Sequence, residues 1–174
     1  METKRAEEFM IPLSDYPHIP YWFTLRQAIA EMENSQIEVD GRKSLPRVVL
    51  VFNEAYELLG TARRRDILRG LEPRFLVSKS LDYRAKLFDV KVDPNLSELP
   101  AERVIKGLRE QAERPISDVM IPIGATVSSD DHLMKVIYEM VANDLCLIPV
   151  MQEGKVAGVV RSVDALHEVA QLVL

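Results

Sequence analysis

The sequence predicts an α+β protein built from two copies of one unit. The first observation is a repeated skeleton, Gly-x-x-Arg-x-x-Asp, which occurs as GTARRRD at 60–66 and as GVVRSVD at 158–164. The second is a Met-Ile-Pro tripeptide at 10–12 and again at 120–122. The third is a pair of helix-like segments with matching apolar stripes, one after each tripeptide. Features that recur in the same order indicate an internal duplication.

Composition places the chain among ordinary soluble proteins. Hydrophobic residues make up 47% and charged residues 28% of its 174 residues, and the apolar runs are far shorter than the roughly 18 residues of a membrane span. The opening METKRAEEFM lacks the apolar core of a signal peptide, so we expect a cytoplasmic protein. The net charge of −5 argues against nucleic-acid or membrane binding.

Each copy contains one amphipathic helix. In the first copy Thr24 and Gln27 have the spacing of a capping box, and in the second copy Ser129 is the expected N-cap. The residues predicted to face the core are Leu25, Ala28, Ile29 and Met32 in the first copy, and Leu133, Val136, Ile137, Met140 and Val141 in the second.

Two strand-like runs follow each helix, and a second helix begins near each repeated aspartate. Each copy therefore reads β-α-β-β-α, with its opening strand just after Met10 or Met120. The first copy is longer, mainly in YPHIPYWF and NSQIEVDGRKS. We expect a first domain at 1–72, a linker or helical insertion at 73–114, and a second domain at 115–174. The insertion contains a predicted helix at 97–113.

These residues resemble the cystathionine-β-synthase (CBS) domain. The second copy carries the similarity in its opening DVM, the LIPV strand, the GKVAGVV hairpin and the closing Asp164, and the first copy resembles a more divergent CBS domain. The resemblance implies two CBS repeats packed sheet against sheet as a pseudo-twofold pair, and it implies a homodimer. It also implies a regulatory role, with no obligatory cofactor and with AMP, ADP, ATP or S-adenosylmethionine as candidate ligands.

The repeated motif departs from the family pattern at one position. Ligand-binding CBS domains have Thr or Ser where this chain has Arg63 and Arg161, and their aspartates, matched by Asp66 and Asp164, bind ribose hydroxyls. Arginine suits phosphate, but an arginine paired with an acid on the surface is equally compatible with the sequence. Each aspartate equally suits the first turn of a helix.

Several apolar residues match family positions near the adenine base. Their composition is also that of an ordinary core, and both interpretations stay open at this point. They are Ile123, Leu147, Ile148, Pro149, Leu45 and Pro46.

The sequence therefore favours a regulatory protein that binds an adenine nucleotide or adenosyl ligand and acts on an unknown effector protein. The alternative is a ligand-free dimerisation or protein-interaction module. An enzyme using the 73–96 segment is a third possibility, but Asp82, Tyr83, Arg84 and Asp89 form no recognisable catalytic group. No catalytic or metal-binding residue is predicted, since the three histidines and the single Cys146 lack ligand spacing.

Overall fold

The computed structural model describes residues 3–73 and 100–174, and both copies have the predicted α+β architecture. The two sheets are mixed, and helices cover their outer faces. The helices are α1 Ala6–Phe9, α2 Leu25–Asn34, α3 Arg64–Leu71, α4 Ala101–Gln111, α5 Leu133–Ala142 and α6 Ser162–Val173. The helix α4 lies within the predicted 97–113 segment, of which 97–99 fall outside the described residues.

The strands form two four-stranded sheets and a separate two-stranded hairpin. They are β1 Ile11–Pro12, β2 His18–Pro20, β3 Ile37–Val39, β4 Arg42–Ser44, β5 Val48–Phe52, β6 Leu58–Arg63, β7 Ile121–Pro122, β8 Val127–Ser128, β9 Leu147–Gln152 and β10 Lys155–Arg161. One sheet has the order β2-β5-β6-β7, the second has β1-β10-β9-β8, and β3 pairs only with β4. In each large sheet the strand before the amphipathic helix pairs in parallel with the strand after it.

The two copies exchange their opening strands. The first copy's β1 pairs with β10 of the second, and β7 of the second copy pairs with β6 of the first. Isolated bridges extend both exchanges, joining Arg5 to His132 and Thr24 to Pro115. The chain segments preceding β1 and β7 therefore pack against the opposite copy, whereas the boundaries at 72 and 115 remain a prediction.

The glycine of each repeated motif lies where an exchanged strand crosses. Gly60 pairs with Pro122 and Gly158 pairs with Pro12. A Cβ atom on Gly158 would lie 2.3 Å from the carbonyl oxygen of Ile11, and one on Gly60 would lie 2.5 Å from that of Ile121. Because both neighbours are backbone atoms, only glycine fits at these crossings.

The exchange also supplies helix caps. The first N–H of α5, from Leu133, donates to the carbonyl oxygen of Lys4, and that of α2, from Leu25, donates to the carbonyl oxygen of Arg114. The capping box predicted for Thr24 and Gln27 is confirmed. The prediction of Ser129 as an N-cap is wrong, because the segment around Lys4 delays the start of α5 to Leu133.

Three apolar clusters hold the molecule together. Ala6 and Phe9 of α1 are buried in the core of the second copy, and Ile116 and Val119 reciprocally enter the core of the first. A third cluster lies between the two large sheets; it contains Ile11, Tyr16, Ile37, Val48, Leu50, Phe52, Leu147 and Val159. The described chain is consequently one packed unit in which each copy completes the core of the other.

One member of the predicted apolar stripe of α5 faces the other way. Leu133, Val136 and Met140 are buried, and Ile137 packs against them, but Val141 is 76% exposed. Each residue of an α-helix is rotated by about 100° from the one before it. Val141 directly follows the buried Met140, so its side chain points away from the narrow face that the sheet covers. The stripe is therefore narrower than the sequence predicts.

Replacing Gly60 or Gly158 with Ala should lower the free energy of unfolding by about 2–3 kcal/mol, because a crossing strand must shift. The control is Gly124→Ala, whose Cβ would meet only the flexible Leu145 side chain at 3.3 Å. Chemical denaturation measures all three variants. Equal stability of Gly158→Ala and Gly124→Ala would contradict the close-crossing explanation.

Candidate functional site

In the first copy the arginine and aspartate of the repeated motif bind each other. Arg63 is the N-cap of α3 and Asp66 is its third helical residue. The carboxylate of Asp66 accepts from the backbone N–H of Arg63 at 3.0 Å, from Nε at 2.8 Å and from Nη2 at 3.0 Å. The guanidinium and carboxylate thus pair through two parallel hydrogen bonds while the backbone bond caps the helix.

The second copy repeats this geometry at the start of α6. Nε and Nη2 of Arg161 donate to the two carboxylate oxygens of Asp164 at 2.8 and 2.7 Å, and the backbone N–H donates at 3.3 Å. Arg161 makes one further contact, since its Nη1 donates to Ser44 Oγ of β4 at 2.9 Å. Accordingly the Arg161 side chain is 16% exposed, against 38% for Arg63.

The environment of Asp66 favours its charged form. Burial alone would raise the pKa of this carboxyl, but the hydrogen bonds from the Arg63 side chain and backbone, with the positive charges of Arg63 and Arg69, lower it below its ordinary value. Asp66 is also only 1% exposed. This aspartate therefore has a structural role at the start of α3.

A cavity of about 600 Å³ opens beside Arg161. Four parts of the chain form it: the N-terminal segment from Lys4 to Tyr16, the β3–β4 hairpin with the residues leading into β5, the residues entering β9, and the first half of α6. Its apolar lining includes Phe9, Met10, Tyr16, Val39, Leu45, Val48 and Leu147. The Tyr16 hydroxyl donates to the carbonyl oxygen of Val48, and burial raises the pKa of this phenol, so a neutral ring forms part of the wall.

Charge in this cavity is unevenly paired. Lys4 binds Glu168 at 2.8 Å, Arg161 binds Asp164, and His167 Nε2 lies 3.4 Å from Asp40. Three further cations of the lining, Arg42, Lys43 and Arg47, have no acidic partner among residues 3–73 and 100–174. All three are exposed. The lining carries five Lys or Arg side chains against four Asp or Glu, of which Glu8 forms no ion pair within the described residues. The cavity consequently combines an apolar wall with a small excess of positive charge, a combination suited to an organic anion.

The structure separates the ten predicted site residues into two groups. Four of them line the cavity: Arg161, Asp164, Leu45 and Leu147. The other six lie outside its lining: Ile148 is fully buried in the core of the second copy, Pro46 and Pro149 are buried, Ile123 is half-buried, and Arg63 with Asp66 caps α3.

The two aspartates differ in how much acceptor capacity they retain. Both carboxylates accept three hydrogen bonds from their own arginine, and Asp66 also has Arg69 Nη2 at 3.5 Å. A carboxylate has about four acceptor positions. Asp164, which lines the cavity, therefore keeps one position on Oδ1, and ribose binding by this residue remains a prediction.

Sequence reasoning missed the cationic lining. Arg42 and Lys43 follow an Asp-Gly pair, Asp40 and Gly41, whose φ angles of 50° and 76° are those of a tight hairpin turn. The sequence IEVDGRKS carries this signal, since apolar Ile37 and Val39 alternate with polar residues before the turn. The position of the hairpin above α6 depends on packing between the copies, so no pattern in the neighbouring sequence predicts it.

Two mixed sheets with exchanged opening strands and a cleft between the repeats make up the fold of the described chain. The sequence model of the CBS domain matches residues 116–171, and the fold of the whole described chain is that of CBS-pair proteins. The resemblance predicted from the sequence is confirmed. No curated protein sequence matches the chain.

Solved structures with this fold come from several kinds of protein. The CBS domain of a CBS domain-containing membrane protein from Sphaerobacter thermophilus is 20% identical, with a TM-score of 0.66; the match covers 95% of this chain and 87% of that one. CBSX2 in complex with AMP is 13% identical, with a TM-score of 0.61 and 97% coverage of both chains. The cytosolic domain of the Mg²⁺ channel MgtE in complex with ATP is 17% identical, with a TM-score of 0.59, and the match covers 95% of this chain and 49% of that one.

Within residues 3–73 and 100–174 no helix is long and apolar enough to cross a membrane, and no group of three or more His, Cys, Asp or Glu could hold a metal ion. Cys146 is exposed and lines the cavity. The residues considered for an enzymatic role, Asp82, Tyr83, Arg84 and Asp89, lie outside the described residues.

Replacing Asp66 with Asn should lower the free energy of unfolding by about 2 kcal/mol at pH 7, because the charged hydrogen bonds from Arg63 weaken. The pKa of Asp66 is depressed in the folded protein, so its stabilisation is complete above the unfolded value of about 3.9 and is lost as the pH falls through the folded value. Denaturation of wild type and Asp66→Asn between pH 7 and pH 2.5 should therefore give curves that converge in acid.

The matched control is Asp118→Asn. Asp118 pairs with Arg114 at 3.3 Å and is 44% exposed, so its loss should cost less than about 1 kcal/mol. A constant difference between wild type and Asp66→Asn across this pH range would contradict the proposed charge pairing.

Proposed function

We propose that this protein is a regulatory CBS pair that binds an adenine nucleotide in the cavity beside Arg161. The observation that carries the proposal is the cavity itself, where an apolar wall adjoins Arg161 at the start of α6 and the hairpin cations, which have no acidic partner among the described residues. Complexes of AMP with CBSX2 and of ATP with MgtE support it, because both proteins share this fold. The volume of about 600 Å³ lies within the range of small-molecule sites.

The lining provides different surfaces for different parts of a nucleotide. Leu45, Leu147 and Tyr16 offer apolar surface for a flat base, and Oδ1 of Asp164 keeps an acceptor position for a ribose hydroxyl. Arg47 and Arg161 carry permanent charge for phosphate. In this assignment Asp164 has a second role, because it holds the guanidinium of Arg161 in place.

Regulation would follow from the way the cavity is assembled. A ligand there touches the N-terminal segment, the β3–β4 hairpin and α6, which belong to both copies. Binding favours whichever arrangement of these segments gives the best contacts, and the population shifts toward it. We propose that the protein has no catalytic activity of its own and that an effector protein detects this shift; a nucleotide-hydrolysis assay tests the first of these points.

Thermal unfolding with AMP, ADP, ATP, S-adenosylmethionine and NAD tests ligand binding. A ligand present at about 100 times its Kd adds about 2.7 kcal/mol of stability, and Tm should rise by about 5–10 °C. Arg47→Glu should abolish the rise, because it replaces a cation of the cavity that has no acidic partner within the described part of the chain with an anion. Arg47 is a better probe than Asp164, whose removal would also leave Arg161 without its acid.

The control variant is Arg65→Glu, which makes the same charge change at an exposed arginine outside the cavity lining. It should keep the full ligand-dependent rise in Tm. If no compound shifts Tm in the wild-type protein, the ligand-free interaction module becomes the better assignment.

An exposed apolar face supports a second function, homodimerisation. On α5 the side chains of Met134, Tyr138 and Val141 recur at helical spacing and are 63%, 64% and 76% exposed. Val163 and Leu166 are exposed on α6, which packs against α5. Soluble monomers rarely expose large apolar patches, so we propose that a second copy of the chain covers this face.

Tyr138→Glu should convert the dimer to a monomer, because a carboxylate would be buried in the interface. Light scattering after size-exclusion chromatography should give twice the chain mass of 19.8 kDa for wild type and the single mass for the variant. Leu108→Glu, which alters an exposed leucine of α4, should stay dimeric. A monomeric wild type at micromolar concentration would contradict the proposal.

A further inference from the structure

The β3–β4 hairpin breaks the symmetry between the two copies. In the first copy it fills the connection between α2 and β5, whereas in the second copy only residues 143–146 separate α5 from β9. The hairpin belongs to neither large sheet. Its position beside Arg161 therefore makes one Arg-x-x-Asp site different from the other.

The hairpin is fixed at three points. Ile37 is buried in the cluster between the two sheets, Ser44 Oγ accepts from Arg161 Nη1 at 2.9 Å, and Asp40 lies 3.4 Å from His167 Nε2 of α6. Arg42 and Lys43 lie between the second and third of these anchors along the chain. The anchors thus hold both cations at the cavity even though no acid of the described residues pairs with them.

The arrangement concentrates positive charge in an acidic protein. Three acids of the lining are paired, namely Glu168 with Lys4, Asp164 with Arg161 and Asp40 with His167, and the fourth, Glu8, accepts from the backbone N–H of Arg5. Arg42, Lys43 and Arg47 lie within six positions of one another, line one cavity and repel each other, while the chain carries a net charge of −5. A bound polyanion would relieve that repulsion, whereas a cationic ligand would increase it.

We propose that the β3–β4 hairpin is a polyphosphate-binding element that selects adenine nucleotides with two or three phosphates. Arg42 and Lys43 would bind the phosphates beyond the first, and Arg161 and Arg47 would bind the first. AMP would lack the hairpin contacts, and the positive sulfonium group of S-adenosylmethionine would be repelled. The inference rests on the proposed nucleotide site and adds the class of nucleotide that the site prefers.

Isothermal titration calorimetry of the full chain with AMP, ADP, ATP, S-adenosylmethionine and inorganic tripolyphosphate, in magnesium-free buffer, tests the selection. Wild type should bind ATP at least tenfold more tightly than AMP, with ADP between them. The double variant Arg42→Ala/Lys43→Ala should lose at least tenfold in affinity for ATP and less than twofold for AMP. ATP binding should also fall more steeply with salt than AMP binding does.

A control variant, Arg65→Ala/Lys106→Ala, removes two exposed cations outside the cavity lining and should bind ATP as the wild type does. Equal affinity of wild type for AMP and ATP overturns the hairpin's role and leaves the nucleotide site intact. If tripolyphosphate binds as tightly as ATP, the hairpin still binds polyphosphate, but the proposal that the cavity recognises adenine is overturned. Absence of binding by every compound overturns both proposals.

Discussion

Two close backbone crossings, at Gly60 and Gly158, hold the rest of the structure in place. At each crossing a strand from one copy lies against the sheet of the other, at a separation that excludes any side chain. The segments that precede these strands then enter the opposite core and cap the opposite amphipathic helix. Neither copy has a complete core of its own, so the two copies form one unit, and the N-terminal segment is brought into the wall of the cavity.

The repeated motif combines three constraints in seven residues. Its glycine permits the strand crossing, its arginine is the N-cap of the following helix, and its aspartate accepts both the backbone N–H and the guanidinium of that arginine. Internal pairing of this kind explains how an arginine can replace a hydroxyl residue without leaving a buried charge unpaired. The two sites differ through their surroundings, because only Arg161 reaches the hairpin.

Local patterns in the sequence predicted most of the fold. The duplication, the β-α-β-β-α core of each copy and the capping box at Thr24 each have a signal within a few residues, and the structure contains them. It adds α1, the β3–β4 hairpin and a second strand before each amphipathic helix, which were not predicted. The start of α5 was mispredicted because it depends on a contact with the distant residue Lys4, and the exposure of Val141 because the sheet covers a narrower face of α5 than its apolar stripe. The site was predictable only in part for the same reason. Arg161 and Asp164 belong to a recognisable motif. Arg42, Lys43 and Arg47 belong to none, and they line the cavity only because the hairpin packs above α6.

The helix α6 connects the cavity to the face proposed for dimerisation. Its first turn carries Arg161 as the N-cap and Asp164, and its outer side exposes Val163 and Leu166. A ligand that draws on the charge of Arg161 acts on the end of this helix, and a rigid helix transmits a shift at one end to the contacts along its length. Since α6 packs against α5, a small displacement changes the shape of the whole exposed face. In the proposed scheme nucleotide binding is converted into a change of association, with α6 as the element that both proposed sites share.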